Sequence, residues 1–368
     1  MSTNFRFPRA GLRQFPHPAS QRVTFDERYK VFRNQLRKFS LESIAEEVLR
    51  MTVMPPSDVV DALRLFPWLP MLIAKWALLD RMVLSGVGEK LTRERLESLV
   101  QELRDIDGDL IKQPSPGTAH LLIRPRVFVQ IEFQRGASRS FVRIPALLSR
   151  LPKDHSLRRL FHSQWRLTPE QFIDLAVALY AARLEGGKPG FTRGFFVPLA
   201  DQYGHEAIER ILNMFSRDLA GLRDELIKSE MASGGTSVKP RRRSELLEFP
   251  FFKRFPLFRA GNDIYFVWHP TVLVRALEEA VHLRFSDAGE DYTRPFSKVF
   301  EQYVVELLVS AYPDAYTEAD IKRLRGAMSV TVEAVVPFVN CNVFVEAKMG
   351  LYRDEVMTLP VPVSRPPE

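Results

Sequence analysis

Val343-Phe344-Val345-Glu346-Ala347-Lys348, running into Met349-Gly350, is the last apolar strand-like run of the chain, and the C-terminal third is organised around it. Side chains alternate faces along an extended backbone, so Glu346 and Lys348 point one way and Val345 and Ala347 the other. Thirteen positions before Glu346, Glu333 sits in a second strand-like run, Ser329-Val330-Thr331-Val332-Glu333-Ala334-Val335-Val336. If Pro337 to Asn342 turns the chain back, the two runs pair as neighbours about 5 Å apart and their carboxylates converge. Two carboxylates beside a lysine form an all-oxygen donor set suited to a hard divalent cation.

Working back from this pair, Tyr316 to Arg325 reads as a connector. Pro295 reads as the start of a helix, Phe296 to Ala311, with Phe300, Val304, Leu307 and Leu308 on its apolar stripe and Glu301 to one side. Pro270 to Phe285 reads as another helix begun with proline, and Asp263 to Trp268 as a short strand. The order is helix, connector, strand, strand.

Phe300-Glu301-Gln302-Tyr303-Val304-Val305-Glu306-Leu307-Leu308, the Glu333 strand and Glu346-Ala347-Lys348 together resemble the PD-(D/E)XK nuclease superfamily over about Pro295 to Leu351. The resemblance implies a restriction-endonuclease-like domain that hydrolyses nucleic acid, DNA in preference, with Mg²⁺ or Mn²⁺. By analogy it also implies a role in defence against foreign DNA. Glu346 would then ligate the metal, and Lys348 would position the attacking water or stabilise charge on the phosphate. Glu333 would take the ligand place usually held by aspartate, one methylene shorter, and Glu301 would match the helix acid.

Superfamily members continue past the lysine strand with a helix, whereas 20 residues follow Lys348 here. The prolines of Leu359 to Pro367 are too closely spaced for that helix. The expected C-terminal domain is thus truncated after the acid-x-lysine strand. Three explanations stay open: a shortened reading frame, a degenerate inactive domain, or a domain completed by a protein partner or a second copy.

The 368 residues predict two or three domains. Residues 246–368 hold 13 lysines and arginines against 17 acids, a balance of −4, and residues 1–245 carry +11. Met231 to Ser244 combines Ala-Ser-Gly-Gly-Thr-Ser with Lys239-Pro240-Arg241-Arg242-Arg243 and reads as a flexible basic linker. The expected organisation is a basic, mainly helical region over 1–230, a linker over 231–245 and the nuclease-like domain over 246–368. Lys239, Arg241, Arg242 and Arg243 are candidates for nucleic-acid contact, with a solvated linker as the other reading. The fold class expected is α+β: a mainly helical N-terminal region with a small β-hairpin, then an incomplete α/β restriction-endonuclease-like domain.

In the front part, helical spacing covers Gln21 to Phe39, Leu41 to Met51, a segment from Ser57 to Pro67, Trp68 to Leu84, and Arg93 to Ile106 capped by Thr92. The hairpin is read at Val127 to Phe133 paired with Phe141 to Ile144, from their alternation. Thr168-Pro169-Glu170 starts a helix to about Leu184, and a long helical pattern covers about Gly204 to Glu230. Phe249 to Phe258, rich in Phe and Pro, is read as packing between domains rather than as a base-stacking surface.

One cysteine, Cys341, excludes an internal disulfide and a multi-cysteine zinc site, and is expected to be buried. No apolar run reaches the length of a spanning helix, because Lys75, Asp80 and Arg81 interrupt the best candidate. No membrane association and a cytoplasmic location are therefore expected. Phosphate-loop, nucleophile-elbow and zinc-protease motifs are absent from the sequence. The alternative to a nuclease is a non-catalytic nucleic-acid-binding or defence-complex scaffold that uses the basic front half.

Overall fold

A computed structural model describes residues 24–53, 66–111, 133, 140–183, 190–231, 238–242, 245–246, 248, 250–326 and 332–348. The fold is α+β and mainly helical, with two small sheets. Among the described residues no helix is long and apolar enough to cross a membrane.

The chain begins with α1 (Phe25–Leu36), α2 (Leu41–Val53), α3 (Trp68–Leu79) and α4 (Arg93–Ile111). Thr24 and Glu27 close a reciprocal capping box at the start of α1, satisfying two orphan amides. Every residue of α3 is buried, and the helix stops at Asp80, whose carboxylate pairs with Arg37 and so anchors the turn, earlier than the sequence pattern suggested. On α4, Leu96, Leu99, Val100 and Leu103 form the expected apolar stripe and all are buried.

The second group is α5 (Arg143–Ser149), α6 (Ser156–Trp165), α7 (Pro169–Ala182), β1 (Gly190–Thr192), α8 (Val197–Tyr203), α9 (His205–Phe215), β2 (Ser216–Arg217) and α10 (Leu219–Glu230). Thr168 caps α7 with Gln171 as its reciprocal partner and Pro169 at the first helical position, as read from the sequence. The long pattern from Gly204 to Glu230 is two helices broken by β2, where Ser216 and Arg217 take extended backbone to pair with a strand. The small hairpin is corrected. Phe141 to Ile144 is a 3₁₀ turn leading into α5, because Phe141, Pro145 and Leu148 bury one face at helical spacing. Its proposed partner lies outside the described residues apart from Phe133, as do residues 57–65 of the helix expected from Ser57.

β3 (Leu257–Ala260) and β4 (Ile264–Val267) form a hairpin within a four-stranded sheet of order β1-β4-β3-β2. α11 (Pro270–Phe285) and α12 (Glu290–Ala311) follow. α12 starts before the expected Pro295, which falls inside the helix. The last elements are β5 (Tyr316–Thr317), α13 (Glu318–Arg325), β6 (Ala334–Pro337) and β7 (Asn342–Val345).

Two apolar cores organise these elements. The first joins α1 to α4 with Leu222 and Leu226 of α10, and also takes Leu246, Phe252, Phe255, Trp268 and Val272. The second joins α5 to α9 with the four-stranded sheet, α11 and the start of α12. Segments on either side of the expected 231–245 linker share the first core. Phe252 packs 4.3 Å from the Trp268 ring and both are fully buried, so these aromatics serve packing rather than base stacking.

A buried charge cluster ties the middle of the chain to α3. Lys75 Nζ lies 2.9 Å from Glu230, 3.1 Å from Glu245 and 3.6 Å from Glu248. Arg241 reaches Glu245 at 3.1 Å and Glu230 at 3.4 Å, and the Trp76 indole N–H donates to Glu245 at 3.1 Å. Burial alone would depress the Lys75 ammonium, but the three carboxylates more than reverse it and hold it above the ordinary lysine value.

Candidate active site

β5, β6 and β7 form an antiparallel sheet in that order, and β6 and β7 are joined by the expected reversal. The Phe338 amide donates to the Cys341 carbonyl at 2.8 Å, closing the turn. Cys341 sits on this turn and is exposed, which corrects the expectation of burial. The paired strands are shorter than the sequence suggested, so Glu333 lies just before β6 and Glu346 to Lys348 just after β7.

This places the acids at one end of the hairpin. The ladder ends at the Ala334–Val345 pair, and one step further in the same register would set Glu333 opposite Glu346. Another step would set Ala347 opposite Val332. Instead the Ala347 amide donates to Glu333 Oε2 at 3.0 Å, so a carboxylate takes the bond that a strand carbonyl would take in a continued ladder. Alternation holds beyond the strand: Ala347 is buried, while Glu346 and Lys348 are exposed. Their charges meet at 2.7 Å, with side chains 54% and 77% exposed. The hydrogen bond that Lys348 donates to Glu346 and then the Glu346 charge raise the Lys348 pKa above the usual lysine value, and the Glu333 charge adds to this.

Glu301, on α12, shares a groove with Glu333, whereas Glu346 and Lys348 do not line it. A groove of about 700 Å³ runs between α12 and the start of α13, lined by Glu301 and Lys298 on one wall, Thr317 and Glu318 on the other, and Glu333 at the sheet. Thr317 and Asp320 form a capping box that fixes the start of α13, and the Glu318 amide donates to the Glu333 carbonyl at 2.9 Å. The backbone of Glu333 is thereby held while one carboxylate oxygen is occupied by Ala347. Lys298 escaped the sequence reading, although its position three residues before Glu301 on a helix puts both on one face.

Among the described residues no group of three His, Cys, Asp or Glu side chains is arranged to hold a metal ion. A closed protein cage is therefore not present there. Mg²⁺ commonly uses one or two carboxylates and completes its octahedron with water and substrate phosphate. Glu333 and Glu346 fit that open class. Both act on the same lysine: Glu346 pairs with Lys348 at 2.7 Å, and the Glu333 charge also raises the Lys348 pKa.

The four basic candidates of the linker part company. Arg241 is 9% exposed, with its guanidinium engaged by Glu230 and Glu245, so it acts as a staple in the buried cluster. Arg242 is exposed and lies 3.7 Å from Glu248. Lys239 lines an open cleft against α1. Arg243 lies outside the described residues. No family model, curated protein or solved structure matches the chain, which leaves the chemistry of these residues as the basis for a functional reading.

Proposed function

We propose that the hairpin end formed by Glu333, Glu346 and Lys348, with Glu301 on the groove wall, is a metal-dependent phosphodiesterase site of PD-(D/E)XK type acting on nucleic acid, DNA in preference. The observation that supports this reading is the Ala347 amide bound to Glu333 Oε2 at 3.0 Å, which brings Glu333 to the hairpin end where Lys348 pairs with Glu346 at 2.7 Å.

Glu333 and Glu346 would hold Mg²⁺ or Mn²⁺. When bound, such an ion supplies polarisation of the phosphoryl oxygens and a more acidic water. The chain's own residues have separable tasks. The Ala347 amide fixes one oxygen of Glu333, a residue that also lines the groove. Lys348, raised above the usual lysine range, stays cationic at neutral pH, which suits it to attract a phosphate oxygen and stabilise developing charge rather than accept a proton. A phosphate group arriving at Lys348 competes with Glu346 for the ammonium, freeing that carboxylate. Glu301 and Lys298 supply an acid and a cation along the groove where a strand would lie.

The test is cleavage of plasmid DNA, single-stranded DNA and RNA by the full chain with Mg²⁺ or Mn²⁺. Cleavage that is lost in both Glu346→Ala and Lys348→Ala supports the site. Cleavage undiminished in both variants overturns it.

A further inference from the structure

A second cleft, of about 390 Å³, lies between α1, the end of α3 and residues 238–241. None of its lining residues belongs to the hairpin end. Lys30 and Arg33 project from α1, Arg81 follows α3, and Lys239 comes from the returning segment, with Asp26 and Asp80 as the acids.

The charges do not cancel. Asp80 is fully engaged: its oxygens take Arg37 Nε at 2.7 Å and Nη2 at 3.1 Å, and one of them also accepts the Met82 amide at 3.0 Å. Arg241, also in the wall, is committed to Glu230 and Glu245. The side chains of Lys30, Arg33, Arg81 and Lys239 have no ion-pair partner among the described residues, which sets four free cations against Asp26. Fields of one sign add within a cleft and concentrate counter-ions there.

Arg33 adds a second, independent sign. Its Nε is buried and has no hydrogen-bond partner among the described residues. Such a donor has lost its water without gaining an acceptor, a cost that an arriving anion removes. The guanidinium is braced over the Tyr29 ring, 5.9 Å from its centroid, and that ring packs edge-on against Trp76 at 5.1 Å. Burial pushes the Tyr29 hydroxyl up to about 12, so it remains a proton donor at neutral pH. The cleft therefore offers guanidinium, ammonium and hydroxyl donors. Tyr29 already contacts Phe25, Trp76 and Arg33, which casts it as a brace and donor and not as a platform for a base.

We propose that this cleft binds the phosphate of a nucleotide, presented free or as one unit of a nucleic-acid strand. Guanidinium groups match phosphate geometry with paired donors, and the volume falls at the lower end of ordinary small-molecule sites. The proposal needs no metal and no residue of the hairpin end, so it stands apart from the nuclease reading.

The experiment measures binding of the full chain to a labelled single strand of about 12 nucleotides, in EDTA, by fluorescence anisotropy, with unlabelled strand and ATP as competitors. Lys30 and Arg81 are exposed, so Lys30→Gln/Arg81→Gln leaves the fold intact. This double variant weakens strand binding about tenfold or more and lowers the salt slope by about 1.4, while Lys153→Gln, an exposed charge elsewhere, changes affinity less than about twofold. Arg33→Gln weakens binding as well, read beside a denaturation midpoint because Arg33 also braces Tyr29. Competition by ATP identifies a site open to free nucleotides, and competition by strand alone identifies a strand-backbone site. Cleft variants that bind as the wild type does, or a wild type that binds neither probe, overturn the proposal.

Discussion

Lys75 and Lys348 each meet a carboxylate at similar range, 2.9 Å to Glu230 and 2.7 Å to Glu346. Their side chains are 8% and 77% exposed, and that difference sets what each can do. Around Lys75 the oxygens are answered from within the chain. Glu245 alone serves Lys75, Arg241, the Trp76 indole and the Arg242 amide. Such a cluster has no capacity left for a ligand, and its role is to hold the returning segment to α3. At the hairpin end one contact holds each carboxylate among the described residues, Ala347 on Glu333 and Lys348 on Glu346, and an exposed ion pair contributes little to folding. The same residue types therefore make a staple in one place and an exchangeable binding surface in the other.

The largest expected effect tests the staple. Lys75→Met leaves the buried Glu245 and the part-buried Glu230 and Glu248 with Arg241 as their main counter-charge, and removing one partner of a buried pair costs about 3–5 kcal/mol. Urea denaturation followed by circular dichroism reads this directly. A loss below about 1 kcal/mol, the level of a surface pair, would erase the distinction between the two lysines.

Burial also acts on two histidines, and acid sharpens the comparison. Burial, with a smaller push from Arg183, lowers His269 to about 3, and burial lowers His282 to about 4. Both stay neutral in the folded chain well below 6.5, while the unfolded chain takes up protons there. Stability is then full above the unfolded pKa of about 6.5 and falls as the pH drops towards 4, by about 1.4 kcal/mol per pH unit for each histidine. His269 Nδ1 accepts the Thr271 amide at 3.0 Å at the start of α11. Asparagine fills the same capping role without titrating. His269→Asn therefore flattens the profile of stability against pH between about 6 and 4. A profile as steep as that of the wild type would show that the imidazole is wetted, not buried.

These outcomes bear on how much was legible in the chain. Strong local chemistry read correctly: Thr168-Pro169 started a helix, and the apolar stripe of α4 was buried. The turn between Pro337 and Asn342 was legible because two apolar alternating runs flank it. Phe141 to Ile144 misled because four alternating residues fit a strand as well as a helix, and Pro145 with Leu148 decided for helix through packing. The break at Ser216 was not legible, since only the parallel pairing with β3 draws it out of a helical pattern. Lys75 read as an interruption of an apolar run. Its partners lie more than 150 positions away, so no local pattern reveals them. At the hairpin end the converse holds. Glu346 and Lys348 are neighbours in sequence, and one turn brings Glu333 to them, so the constellation was visible before the fold.

The smallest expected effects on stability fall at that hairpin end, and they carry the most about function. Glu333→Ala removes the acceptor of the Ala347 amide and costs about 1 kcal/mol. Glu333→Gln keeps an acceptor oxygen there and restores most of that loss, while removing the charge a cation needs. The two variants thus separate fold from chemistry: under the proposed function both lower metal-dependent cleavage by about 10²-fold or more, though only one shifts the denaturation midpoint. Lys348→Ala completes the series. It breaks an exposed ion pair and leaves the midpoint where it was, with a comparable loss of cleavage. If Lys348→Ala instead unfolds the chain at denaturant concentrations near those for Lys75→Met, then the hairpin lysine is also a staple, and the exposed face has no charge to offer a phosphate.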